Sequence, residues 1–127
     1  MVKLLVVNDD EMMRICVTAI LNALGYEVVE AKDGLEALLI YRARRAEISL
    51  IIMEIMMPRM DGIAATKVIK ATEPTAKVIL MGHPDHDLLE VPADAFIYKP
   101  FNARDLKEAV RRVLQDDRPT SWVAMQP

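Results

Sequence analysis

Residues 50–62 read LIIMEIMMPRMDG. Residues 50–53 form an unbroken apolar run, as expected of a strand buried on both faces; a strand with one wet face would alternate. The run stops at Glu54, which places a carboxylate where such a strand would end. A methionine-rich loop follows, closed by Pro58 and the turn-favouring Asp61-Gly62. Residues 63–71 then carry a helical pattern.

The same construction recurs outward in both directions. Residues 4–7 are a second apolar run, ended at once by Asn8, Asp9, Asp10 and Glu11. Met13, Cys16, Val17, Ile20, Leu21 and Leu24 then recur at spacings of three and four, a helical stripe that Gly25 ends as a C-cap. Residues 26–31 read as another strand, Asp33-Gly34 as a turn and residues 35–45 as a helix. Downstream, residues 77–81 suit a fourth strand broken by Gly82, His83 and Pro84. Residues 85–91 leave room for one or two helical turns, and residues 95–98 suit a fifth strand. Lys99-Pro100 interrupts it, and Asn102 is placed to cap a last helix whose stripe is Leu106, Ala109, Val110, Val113 and Leu114. Five alternations of strand and helix imply a parallel sheet covered by helices on both faces, with right-handed crossovers. One domain over residues 1–115 is expected. Residues 116–127 show no period and are read as a flexible tail, with no place assigned to Trp122.

Composition narrows the function classes. The chain has 127 residues, 53% of them hydrophobic and 28% charged, with a net charge of −3. That suits one globular domain and lacks the basic face that nucleic-acid binding requires. No run approaches the ~20 apolar residues of a membrane span, and the apolar start is too short for a signal peptide. The single cysteine, Cys16, excludes an intramolecular disulfide, so a cytoplasmic setting is expected. It lies on the stripe of the first helix and is expected in the core.

In open parallel sheets, ligands bind beyond the carboxyl ends of the strands. Here strand one ends in Asn8, Asp9 and Asp10, strand three in Glu54 and strand five in Lys99. Several oxygen ligands beside one ammonium suit a hard divalent cation such as Mg²⁺ and a phosphoryl group. Singly, acids at strand ends are more often solvated loop residues. Together with the loop motifs they point to a site.

Four segments, LLVVNDDEMMR (4–14), GYEVVEAKDGLEAL (25–38), LIIMEIMMPRMDG (50–62) and FIYKPF (96–101), resemble in order and spacing the receiver domain of bacterial response regulators. The resemblance covers residues 2–115. It implies a flavodoxin-like, doubly wound five-stranded sheet in the order 2-1-3-4-5. It also implies roles. Asn8 and Asp9 match the acidic pair that binds Mg²⁺, in a register set by counting back from Arg14. Glu54 matches the phosphoacceptor, and Met56 would offer its backbone carbonyl to the metal. Gly82 matches the Thr/Ser switch position, Phe96 the switch aromatic, and Lys99 the lysine that precedes a cis proline. The implied partners are a histidine kinase or another signalling protein, with a homodimer also open.

Several positions depart from that pattern. Asn8 removes one negative charge from the metal site, so Mg²⁺ binding is expected to be weak. Glu54 carries its carboxylate about 1.5 Å further out than an aspartate, an error that in-line attack tolerates poorly. It is expected to pair directly with Lys99 instead. Gly82 has no hydroxyl to bond a phosphoryl group. The joint changes at Asn8, Glu54 and Gly82 argue against one isolated substitution. Between Gly82 and Lys99 the chain is also shorter than usual by more than one helical turn, which implies a shortened helix four. That puts the family's usual output face in doubt.

Other features read more plainly. His83 and His86 offer two ligands where structural metal sites usually need four, and are taken as loop residues. Met53, Met56, Met57 and Met60 are taken as packing rather than a copper site. Arg42, Arg44 and Arg45 complement the dipole at the end of the second helix.

The leading functional expectation is a two-component receiver that acts through protein–protein contacts, independent of aspartyl phosphorylation. The alternative is a receiver that still accepts phosphate, on Glu54 or another acid. An enzyme on the same fold is a poorer match: a phosphatase would want Asp-x-Asp after strand one and a flavodoxin a hydroxyl-rich loop, whereas the chain offers Asn-Asp-Asp-Glu.

Overall fold

The structure, a computed structural model, describes residues 2–83 and 91–115. The apolar runs become strands β1 (Lys3–Val7), β2 (Glu27–Ala31), β3 (Ile48–Glu54), β4 (Val78–Gly82) and β5 (Ala95–Tyr98). Between and after them lie α1 (Glu11–Ala23), α2 (Gly34–Arg44), α3 (Gly62–Thr72) and α4 (Ala103–Leu114). All strands pair in parallel, in the order β2-β1-β3-β4-β5. This is the flavodoxin-like arrangement, and its carboxyl edge gathers the ends of β1, β3, β4 and β5. The short helix expected at residues 85–91 falls almost wholly outside the described residues, as do His86, Trp122 and the tail.

Strand alternation divides the core in two. Leu5, Val7, Ile51, Met53 and Leu80 point to the face covered by α2 and α3, where Ala37, Leu38, Ala65 and Ile69 meet them. Leu4, Val6, Leu50, Ile52, Ile79, Met81 and Ile97 point to the other face, against Val17 and Leu21 of α1 and Leu106, Ala109, Val110 and Val113 of α4. Both faces are therefore dry, which is why the central strands read as continuous rather than alternating runs.

The helices start on side-chain caps. Asp10 caps α1, Asp33 caps α2 and Asp61 caps α3. Asn102 caps α4 in a reciprocal box with Asp105. Leu24 is the C-cap of α1, and Gly25 follows it at φ 96°, the left-handed conformation that a glycine takes without cost.

Two expectations fail. Gly82 does not break the fourth strand but closes it, paired with Tyr98, while its carbonyl accepts the Lys99 N–H at 2.8 Å. Pairing with β5 supplies hydrogen bonds that outweigh the intrinsic preference of glycine for turns. Cys16 is exposed rather than in the core. The buried line of α1 runs through Val17 and Leu21. Cys16 falls on its flank, facing a groove of about 580 Å³ shared with Met12, Ile20, Phe101 and Ala103.

Candidate functional site

The site is built from strand ends. Asn8 and Asp9 follow β1 directly, and the Asn8 N–H donates to Ala31 O at 3.1 Å, which keeps the chain in the sheet one residue beyond the strand. Asn8 is buried, at 1% exposure, whereas Asp9 is exposed. The Asn8 Oδ1 accepts the Asp10 N–H at 2.9 Å, and its Nδ2 has no partner among the described residues. Arg14, one turn into α1, donates to the Asn8 carbonyl at 2.7 Å. Asp10 turns the other way: its Oδ1 accepts the N–H groups of Met12 and Met13 at 3.0 and 3.3 Å. The third acid of the run is thus used as a helix cap, a role visible in sequence from the helical stripe that follows it.

Glu54 ends β3, with its backbone paired to Met81 of β4. Its side chain is 6% exposed. Oε2 accepts the Ile55 N–H at 3.0 Å, and Oε1 accepts from the Lys99 ammonium, giving the direct ion pair expected from the sequence. Lys99 reaches it from the end of β5, before a cis Lys99-Pro100 bond. The loop beyond Glu54 is drawn back onto the strand: the Gly62 N–H donates to Ile55 O at 2.8 Å. That approach requires glycine, because a Cβ on Gly62 would lie 2.3 Å from Glu54 O. Met56 projects outward, 63% exposed. Met53 is core, and Met57 and Met60 pack against it.

Gly82 and Phe96 complete the set. Phe96, paired with Leu80, is buried in the core on the α2–α3 face. Ile55 lies against Gly82 from that side. The structure therefore brings Asn8, Glu54, Gly82 and Lys99 to one edge of the sheet and leaves Asp9 and the Met56 side chain in solvent.

Sequence reasoning missed two parts. Ile55, whose contact with Gly82 joins two strands, left no local signal. Asp33 accepts from Arg59 Nε at 2.9 Å, which ties the loop after β3 to the start of α2. Burial works to raise the Asp33 carboxyl, but the Glu36 N–H and the Arg59 guanidinium outweigh it and hold it below its usual value. Arg59 sits at φ 68°, a conformation that costs a non-glycine residue energy and that the Asp33 pair helps to hold.

Sheet order and site define a class: a flavodoxin-like domain with a carboxylate and a lysine facing each other across the carboxyl edge. The family model of the response regulator receiver domain matches residues 4–111, and the chain belongs to that family. It is similar to the chemotaxis protein CheY of Bacillus subtilis, 37% identical over 118 residues, covering 88% of this chain and 97% of that protein. It is 32% identical over 117 residues to the probable transcriptional regulator ycf27 of Pyropia yezoensis, covering 89% of this chain and 47% of that one. The chain thus spans about half the length of several of the curated relatives it matches. Among solved structures, a response regulator receiver domain protein from Clostridium thermocellum superposes with a TM-score of 0.85 at 27% identity, over 91% of this chain and 96% of that one. The chain is therefore a two-component receiver domain, from a family that signals rather than catalyses.

Receiver domains bind Mg²⁺ at their phosphorylation site, so the donors here can be tested against that ion. They do not fit a site of ordinary strength. Among the described residues, no three acidic, histidine or cysteine side chains converge where a metal could sit. The Asn8 side-chain Oδ1 accepts the Asp10 N–H, its buried Nδ2 is a donor rather than an acceptor, and Glu54 already carries Lys99 and a backbone N–H.

Proposed function

We propose that this receiver works by protein–protein contact, independent of aspartyl phosphorylation. The observation that carries the proposal is the pairing of Glu54 with Lys99 at the acceptor position. A carboxylate attacks phosphorus with a free oxygen. Here one oxygen holds an ammonium and the other a backbone N–H. The charge that would stabilise an incoming phosphoryl group is already neutralised within the protein. In this reading Glu54 stands in for the modified state, Asn8 and Asp9 are the remnant of a metal pair, Met56 offers only its backbone carbonyl, and Mg²⁺ binds weakly. Gly82 and Phe96 occupy the switch positions without a hydroxyl to connect them. The partner is a histidine kinase or another signalling protein, or a second copy of the chain.

Incubation with acetyl phosphate and Mg²⁺, followed by intact mass, tests this. No gain of a phosphoryl group is expected. A gain that maps to Glu54 would overturn the proposal and establish the alternative, a receiver that still accepts phosphate on a glutamate.

A further inference from the structure

The space beside Gly82 is filled. A Cβ on Gly82 would lie 2.7 Å from Ile55 Cδ1, 3.2 Å from its Cγ1 and 3.3 Å from its Cβ. The first of these atoms, at the far end of the side chain, could swing aside. The Cβ cannot, because the Ile55 backbone is held on both sides: its N–H donates to Met81 O at 2.9 Å, and its carbonyl accepts the Gly62 N–H at 2.8 Å. Isoleucine is also stiff at χ1, and at 2% exposure this one has no solvent to retreat into. Residues 55 and 82 therefore share one volume, with a branched side chain on one and none on the other. The same Ile55 donates its N–H to the Glu54 carboxylate at 3.0 Å. It also lies in the core cluster that holds Leu80 and Phe96.

We infer that Ile55 is a fixed plug: a positioning residue that fills the place of a side chain at 82 and so holds the end of β3, the end of β4 and buried Phe96 in one arrangement. The inference rests on the phosphate-independent reading and adds a physical cause to it. A side chain at position 82 meets Ile55 Cδ1 at its first carbon, 2.7 Å away, before any longer group can extend from it. Restoring a hydroxyl at position 82 alone then meets a clash before it restores any response.

A double-mutant cycle on the full chain tests the plug by denaturant unfolding. Gly82→Ala alone should lower the folded-to-unfolded ratio by roughly tenfold, the scale of overpacking a filled core. In an Ile55→Ala background the same change should cost little, a coupling of roughly tenfold. If Ile55→Ala does not fold, Ile55→Val removes the nearest atom, Cδ1, and should recover part of the loss. Additive costs would overturn the plug. A second readout separates positioning from packing. With Glu54→Asp and Gly82→Ser in place, beryllofluoride with Mg²⁺ should shift the Phe96 amide resonance several-fold more when Ile55→Val is added than when Ile55 is kept. Equal shifts would show that Ile55 packs there without holding anything. Neither result depends on whether the unaltered chain takes phosphate from acetyl phosphate, so failure of the plug and failure of the functional reading are distinguishable.

Discussion

Glu54 carries its carboxylate into a place that water barely reaches, and Lys99 is what makes that tolerable. Removing one partner of such a pair leaves the desolvation cost of the other uncompensated. The Lys99 side chain is 23% exposed, which tempers the effect. Lys99→Met should therefore destabilise by about 1–3 kcal/mol, read as a lower denaturant midpoint. Adding Glu54→Gln should recover much of that loss. An unchanged midpoint in Lys99→Met would show that the pair contributes nothing. Asn8 supports a second expectation. Cation affinity in oxygen sites depends on the charge of the ligands, so Asn8→Asp should bind Mg²⁺ more tightly by calorimetric titration. Equal affinities would mean that position 8 does not face the ion. The ion pair was readable from sequence, because each residue ends an apolar run. The buried Nδ2 of Asn8, without a partner among the described residues, was not, since it depends on which way the amide turns toward Asp10.

At the scale of elements, boundaries follow caps and close approaches. The reciprocal box of Asn102 and Asp105 satisfies N–H groups that the first turn of α4 leaves free. Asn102→Ala should cost about 1 kcal/mol by thermal or chemical unfolding; no loss would mean that solvent replaces the cap fully. At the start of α3, Gly62→Ala should cost about 1–3 kcal/mol, because its Cβ would meet the backbone of Glu54 and not a movable side chain. Here the sequence was informative about caps and strand cores, which are local. It misled at Cys16, where a stripe with spacings of three and four is wider than the line of α1 that the sheet covers. It misled also at Gly82, where β5 continues a ladder that glycine alone would end.

Across the whole molecule, charge networks contribute to the acid response. Arg44 and Lys3 hold the Glu47 carboxyl from its usual 4.5 down to about 2. Arg111 and Arg112 do the same for Glu108, also to about 2. Asp33 is lowered as well. Each group is more acidic folded than unfolded, so its contribution is complete above the unfolded value and lost as the pH falls through the folded one. The denaturant midpoint should thus decline between about pH 4.5 and about pH 2, and added salt should flatten the decline, because two of the three networks are open to solvent. A midpoint that holds across that window would remove these networks from the account of stability.

The alternation of five strands with helices, the burial of the central strands on both faces, and the placing of Glu54 and Lys99 at strand ends were all legible in the chain of residues. All of these follow from periodicity, which each segment carries within itself. Folding was needed to put Gly82 inside the ladder, turn Cys16 outward, bring Arg59 to Asp33 and fill the space beside Gly82 with Ile55. Those outcomes depend on which residues from distant parts of the chain compete for one volume or one hydrogen bond, and packing at interior density settles that competition only when the strands are side by side.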